Sequence, residues 1–238
     1  WWVEPFVGGG NVIAEVVGNR LGADINPHTI RALDFIRKHP DKIPKDDADF
    51  CKEDFLRIKA KYRANKPLSG FECMAMYCYS YGSLWAWAYA RQRVSSGYAS
   101  LITQSRKLIG VELVCCNYLD LQIPPHSIIY CDPPYARYTK YYPGKTFDHQ
   151  AFWAWCEKKQ QEGHTVFISE YEAPSDFVCI FEKKIRKGIN GKHVSYAVEK
   201  LFVHRSCKEV LGKNELRNDS NKWRYPMLCV QPYLFQID

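Results

Sequence analysis

Asp132, Pro133, Pro134 and Tyr135 are the residues of this sequence best suited to act together in chemistry. They follow the apolar run Ile128-Ile129-Tyr130-Cys131, which reads as a buried strand. Two successive prolines stop a strand and remove two backbone donors. The strand therefore ends in a stiff loop that carries one carboxylate and one aromatic ring. At the carboxyl edge of an open α/β sheet, such a loop suits a flat heterocycle bearing an amino group. Asp132 and a proline-loop carbonyl accept the two amino hydrogens, and Tyr135 stacks on the ring.

A second group lies near the start, in Glu4-Pro5-Phe6-Val7-Gly8-Gly9-Gly10. It reads as a strand end, a glycine turn and a helix over about 11–17. Gly8 and Gly10 let backbone approach a ligand, and a helix start offers free N–H groups. A tight turn with no ligand is the other reading. Ile13 stands where the third glycine of a dinucleotide fingerprint would fall, which argues against NAD. Asp24 ends the next short strand and is read as a carboxylate for a ribose diol, with helix capping as the alternative. Asn26-Pro27 fits the cap better.

The elements that must position these groups alternate. Helical spacing runs over 28–39 and 98–108, and a further helix is expected over 149–162. Strands are expected over 111–116, 165–169, 177–181 and 199–203. This alternation predicts a mainly parallel, doubly wound sheet. His28 and His39 are expected at the surface. Residues 40–70 are rich in charge and read either as a solvated helical face or as a phosphate-contacting surface. Residues 71–91 concentrate aromatic rings, read as the core of an inserted segment or as base-contacting rings, with Arg91 after them. Basic stretches at 136–146, with Arg137 and Lys140, and at 183–192 complete the polyanion-binding candidates. The latter reads as a loop bearing Lys183, Lys184, Arg186, Lys187 and Lys192.

The chain has 238 residues, a net charge of +7 and 46% hydrophobic residues, enough for one α/β domain with an insertion. No stretch approaches a membrane span, and no leader pattern is visible. The opening Trp1-Trp2 reads as the start of a fragment. Ten cysteines occur without any Cys-x-x-Cys, so they read as reduced, buried thiols, Cys115, Cys131 and Cys179 among them, with no metal site.

Taken together, Glu4–Gly10 upstream and Asp132–Tyr135 downstream resemble the cofactor and catalytic motifs of amino-group DNA methyltransferases. Their order is that of the Dam-like (D12) adenine-N6 group. Ser80-Tyr81-Gly82, Ser169-Glu170-Tyr171 and Glu199-Lys200-Leu201-Phe202 look like its bacteriophage and prophage branch. The resemblance covers about residues 1–205.

The resemblance implies a Rossmann-like fold and S-adenosylmethionine as methyl donor. Glu4, Pro5, Phe6, Gly8 and Gly10 would cradle the cofactor, and Asp24 would take its ribose. Asn117 and Tyr118 would lie beside its adenine, with an amide where the family has an acid. It also implies N6-methylation of an adenine flipped from duplex DNA, a restriction-modification context, a cytoplasmic bacterial location and a monomer when free. The implied division is 1–40 and 96–205 for the catalytic domain, 41–95 for target recognition, and a tail over 206–238. Methylation of cytosine N4 or of an RNA base, and DNA binding without methyl transfer, are the competing readings.

Overall fold

Residues 1–135, 147–187 and 195–207 are described by the structure, a computed structural model. The prolines act as expected. Strand β4 (Ile128–Cys131) ends directly before Asp132. With β1 (Trp2–Glu4), β2 (Arg20–Asp24), β3 (Val111–Cys115), β5 (Thr165–Glu170), β6 (Phe177–Lys187) and β7 (Ser195–His204), it forms a seven-stranded mixed sheet. The strand order is β3-β2-β1-β4-β5-β7-β6. β1, β4 and β5 run parallel, and β7 is antiparallel to both β5 and β6. The order reverses between β1 and β4, which makes their carboxyl ends a topological switch point, the edge at which open α/β sheets bind ligands. The α/β class with a mostly parallel sheet is thus as expected.

The helices are α1 (Pro27–Lys38), α2 (Lys52–Arg63), α3 (Gly70–Cys78), α4 (Gln92–Lys107) and α5 (His149–Gln161). The expected helix over 11–17 is a single 3-10 turn, Ile13–Glu15. A span that short, following glycines, gains too few backbone bonds to propagate a helix. Among the described residues, the α-helices lie in the connections from β2 to β3 and from β4 to β5.

The chain divides into two compact units. One comprises Trp1–Phe6, Val16–Leu21 and Tyr118 onward; the other comprises Val7–Glu15 and Gly22–Asn117. In the second unit α1 starts on Asn26, whose side chain accepts from the His28 N–H at 3.0 Å, with Pro27 in the first turn. Ala32, Leu33 and Ile36 form its buried stripe. α3 opens on a capping box: Ser69 accepts from Glu72 N–H at 3.2 Å, and Glu72 accepts from Ser69 N–H at 2.7 Å. Each half satisfies a donor the helix start would otherwise leave bare.

The aromatic stretch supplies core here. Tyr79 is fully buried, and Phe50 lies 5.1 Å from it between ring centroids. His28 is not a surface residue. It is half-buried, stacked on Trp85 at 4.6 Å, with the Cys73 Sγ 3.5 Å from its Nδ1. Its helix face meets α3, which the periodicity of α1 alone did not reveal. Cys131 is buried, but Cys115 and Cys179 are exposed; the nine cysteines among the described residues are all free thiols. No helix among the described residues is long and apolar enough to cross a membrane.

Two glycines separate close packing from backbone entropy. A Cβ at Gly70 would lie 2.9 Å from the Arg31 carbonyl oxygen and 2.9 Å from Phe35 Cβ. Gly97, inside α4, would meet nothing within 4 Å. Gly70→Ala is expected to cost about 1–3 kcal/mol by overpacking α1 against α3. Gly97→Ala should gain about 0.5–1 kcal/mol. Chemical denaturation of the two variants checks both signs.

Candidate functional site

In the first unit, parallel register gathers three strand ends. Val3 pairs with Ile129, and Cys131 pairs with Ile168. Continuing the same register sets Glu4 beside Tyr130 and Asp132 beside Ser169. Residues that the chain spreads from position 4 to 170 therefore meet at one carboxyl edge.

Glu4 is 2% exposed, and its Oε1 accepts from the Trp2 indole N–H at 2.7 Å. Burial dominates that bond and the nearby charge of Asp132 adds to it, so its acid is pushed up to about 8. Asp132 is pushed up to about 7, again chiefly by burial. The Tyr135 hydroxyl donates to it and opposes the shift, while Glu199 and Glu170 add to it. Tyr135 lies 3.3 Å from the Ser169 hydroxyl, and Ser169 also bonds Tyr130. The Tyr135 ring packs edge-on against Tyr171, centroids 5.0 Å apart. Pro133 is buried and Pro134 half-buried. The result is a half-buried aspartate whose carboxyl is held by a phenol and crowded by other acids, so that its charged form is disfavoured.

Phe6 and Tyr118 also meet in this unit, centroids 5.1 Å apart, in a cluster with Phe147, Phe152 and Trp155. Pro5, next to Phe6, is buried. Burial against this cluster pushes up the Tyr118 phenol.

In the second unit Gly8 and Gly10 both take positive φ, +46° and +70°. Gly10 closes the turn by donating to the Val7 carbonyl at 2.8 Å. A side chain on Gly10 would press on Leu33 at 3.2 Å, whereas Gly8 faces open space. Gly8 is therefore the position at which backbone can face a ligand, and Gly10 serves packing. Asp24 holds this turn. One carboxylate oxygen accepts from Gly8 N–H at 3.2 Å and the other from Asn26 N–H at 2.8 Å. Burial nonetheless raises its acid. Asn26, not Asp24, caps α1. Asn117 is half-buried just beyond the end of β3.

The basic candidates divide. Arg91 is exposed and paired with Asp47. Lys183, Lys184, Arg186 and Lys187 do not form a loop; they lie in β6, in register with β7 from Glu199 to Ser195. Lys184 sits over the Tyr196 ring at 4.4 Å. A run of cations resembles a loop in composition, but here every residue has a strand partner. Arg137, Lys140 and Lys192 lie outside the described residues.

Sequence reading did not assign Ser169, Glu170 and Glu199 to the site. The available signal was polar residues closing or interrupting otherwise apolar strands, Glu170 after Val166-Phe167-Ile168 and Glu199 before Leu201-Phe202-Val203. A buried acid at a strand end is costly unless it is paired or protonated.

Buried acids make a pH prediction. A carboxyl whose folded pKa lies above its unfolded value binds its proton more tightly when folded. Stability is then undiminished below the unfolded value, near 4.5 for Glu4, and falls as pH rises towards about 8. The thermal midpoint should drop between about pH 5 and pH 8. Glu4→Gln, which keeps an acceptor for Trp2, should flatten that drop by removing a penalty on the order of a few kcal/mol. Identical slopes for the two proteins would show that Glu4 is already ionised.

No protein-family model matches the chain, and no curated protein matches it.

Proposed function

We propose that this protein is an S-adenosylmethionine-dependent DNA methyltransferase that methylates the N6 amino group of adenine. The observation that carries the reading is Asp132: a desolvated carboxyl at the switch-point end of β4, followed by two prolines and a tyrosine. The motif resemblance of Glu4–Gly10 and Asp132–Tyr135 supplies the substrate class.

The residues fit such a cofactor. Glu4, buried, and Asp132, half-buried, are acids whose shifts come from desolvation and from other acids, an environment that favours a bound cation. In the second unit Gly8 offers open backbone, and Asp24, a carboxylate fixed by two N–H groups, would take the ribose hydroxyls. Asn117 and Tyr118 would lie against the cofactor adenine as an uncharged acceptor and an aromatic ring. When bound, S-adenosylmethionine would supply a methyl group already activated on a sulfonium.

The protein's own part is positioning and electrostatics. An adenine swung out of the duplex would present its amino group to Asp132 and the Pro133 carbonyl. Two acceptors on the amino hydrogens draw the nitrogen towards a pyramidal form, with its lone pair free for attack. Tyr135, now bonded to Asp132, would release the carboxylate to the amine and offer its ring to the base. Methylation leaves the nitrogen positively charged, and Asp132, held near pH 7, can take up the proton it sheds. The +7 net charge and the cations of β6 favour a polyanionic substrate. In this reading the protein acts on duplex DNA in a bacterial cytoplasm, as a phage or prophage enzyme.

The test is transfer of labelled methyl from S-adenosylmethionine to unmethylated duplex DNA. N6-methyladenine should form, and Asp132→Ala should lower the rate by about a hundredfold or more. N4-methylcytosine or methylated RNA in the digest would reassign the substrate. Tight DNA binding without cofactor binding would reduce the protein to a DNA-binding one.

A further inference from the structure

Tyr135 has one phenolic hydrogen and two oxygen partners. It donates to the Asp132 carboxyl, and its oxygen lies 3.3 Å from the Ser169 hydroxyl. An O–H···O bond at full strength is shorter, about 2.5–3.0 Å. A carboxylate can only accept, so the phenolic hydrogen belongs to Asp132 and the Ser169 contact is the loose one. Ser169 is the residue of β5 that the parallel register sets beside Asp132, one position beyond the pair of Cys131 and Ile168. It is 2% exposed, and it also bonds the Tyr130 hydroxyl. Two phenols, one in β4 and one in its exit loop, thus converge on one buried serine.

This convergence fits the step at which Asp132 changes partner. When its carboxylate turns to a substrate amino group, the Tyr135 hydroxyl loses its acceptor. A hydroxyl withdrawn from water and left without a partner is costly. Ser169 removes that cost within a movement of about half an ångström, which brings the contact to full hydrogen-bond length. A serine oxygen carries two lone pairs, enough to take a hydrogen from each phenol. The exchange needs no proton transfer, because burial and the charge of Asp132 hold the Tyr135 phenol on its protonated side.

We propose that Ser169 is a positioning residue of this site, the acceptor to which the Tyr135 hydroxyl moves its hydrogen bond when Asp132 engages a substrate. The use of the exchange in catalysis rests on the methyl-transfer reading; the sharing of the hydroxyl between Asp132 and Ser169 does not.

The experiment follows the Asp132 carboxyl by carbon-13 NMR through a pH titration of the intact chain, as a double-mutant cycle. Among the described residues, the groups around this carboxyl are Tyr135 from its own loop, Glu170 from β5, Glu199 from β7 and, through charge, Glu4 from β1 and Tyr130 from β4. The acids and Tyr130 stay constant through the cycle. A hydrogen bond from Tyr135 favours the charged form and lowers the midpoint. In Ser169→Ala that hydroxyl has Asp132 alone, and the midpoint should fall by about half a pH unit. In Tyr135→Phe it should rise, and adding Ser169→Ala should then change nothing. Should Ser169→Ala not fold, Ser169→Cys takes its place, sulfur being a weak acceptor. An unmoved midpoint would overturn the assignment. So would an equal shift with and without the Tyr135 hydroxyl, which would route the effect through Tyr130. Methyl transfer is the second readout. Ser169→Ala should lower kcat about tenfold with KM for S-adenosylmethionine unchanged, and should have no effect on Tyr135→Phe. Equal loss of kcat in both backgrounds would overturn the positioning role. The expected titration pattern in a protein that transfers no methyl group would remove the methyltransferase reading and leave Ser169 standing as the second acceptor.

Discussion

The structure turns on a carboxyl group, that of Asp132, which is half-buried among acids. Among the described residues, the groups that act on Asp132 are a phenol and other acids. In such surroundings the charged form loses hydration and gains little in return, so the proton stays on at pH values where an exposed aspartate has long released it. That condition cannot be met by one loop. It requires three parallel strands ending side by side and a rigid exit from the central one. The two prolines supply the last of these.

Much of this was legible in the residues themselves. An apolar run closed by Asp-Pro-Pro-Tyr can hardly be anything other than a strand and a stiff turn, and β4 ends where the prolines require. Asn26-Pro27 marks a helix start by local chemistry alone, and α1 begins there. What was not legible involves partners distant in sequence. Nothing within Thr165–Glu170 says that β7 will lie antiparallel against it, so the approach of Glu199 to Asp132 has no local signature. The lysines of β6 look like loop residues because composition reports solvation, whereas pairing depends on a second strand. His28 was misjudged for the same reason, since its environment comes from Trp85 and Tyr62 rather than from its own helix.

The two units carry different kinds of polar device. In the second, Asp24 is anchored by two backbone N–H groups, so its carboxylate is fixed in direction even though burial raises its acid. In the first, Glu4 is held by the Trp2 indole and Asp132 by the Tyr135 hydroxyl, while Asp132 raises the proton affinity of Glu4 through charge, as Glu199 and Glu170 raise that of Asp132. A rigid acceptor suits a group that is bound and released unchanged. A side-chain hydrogen bond to an acid of raised proton affinity suits a group whose charge alters during a reaction.

The pairing of β1 with β4 also governs how the chain reaches this state. Trp2 and Ile128 are neighbours in the sheet, yet the whole of the second unit lies between them in sequence. Closing so long a loop carries an entropic cost that local contacts such as the β6–β7 hairpin do not face. β1 is made before β4, so its β4-facing edge stays open until β4 follows. Glu4 stays hydrated during that wait and can keep its charge. Its proton is taken up as burial follows pairing, so assembly of the sheet is itself a proton-binding event.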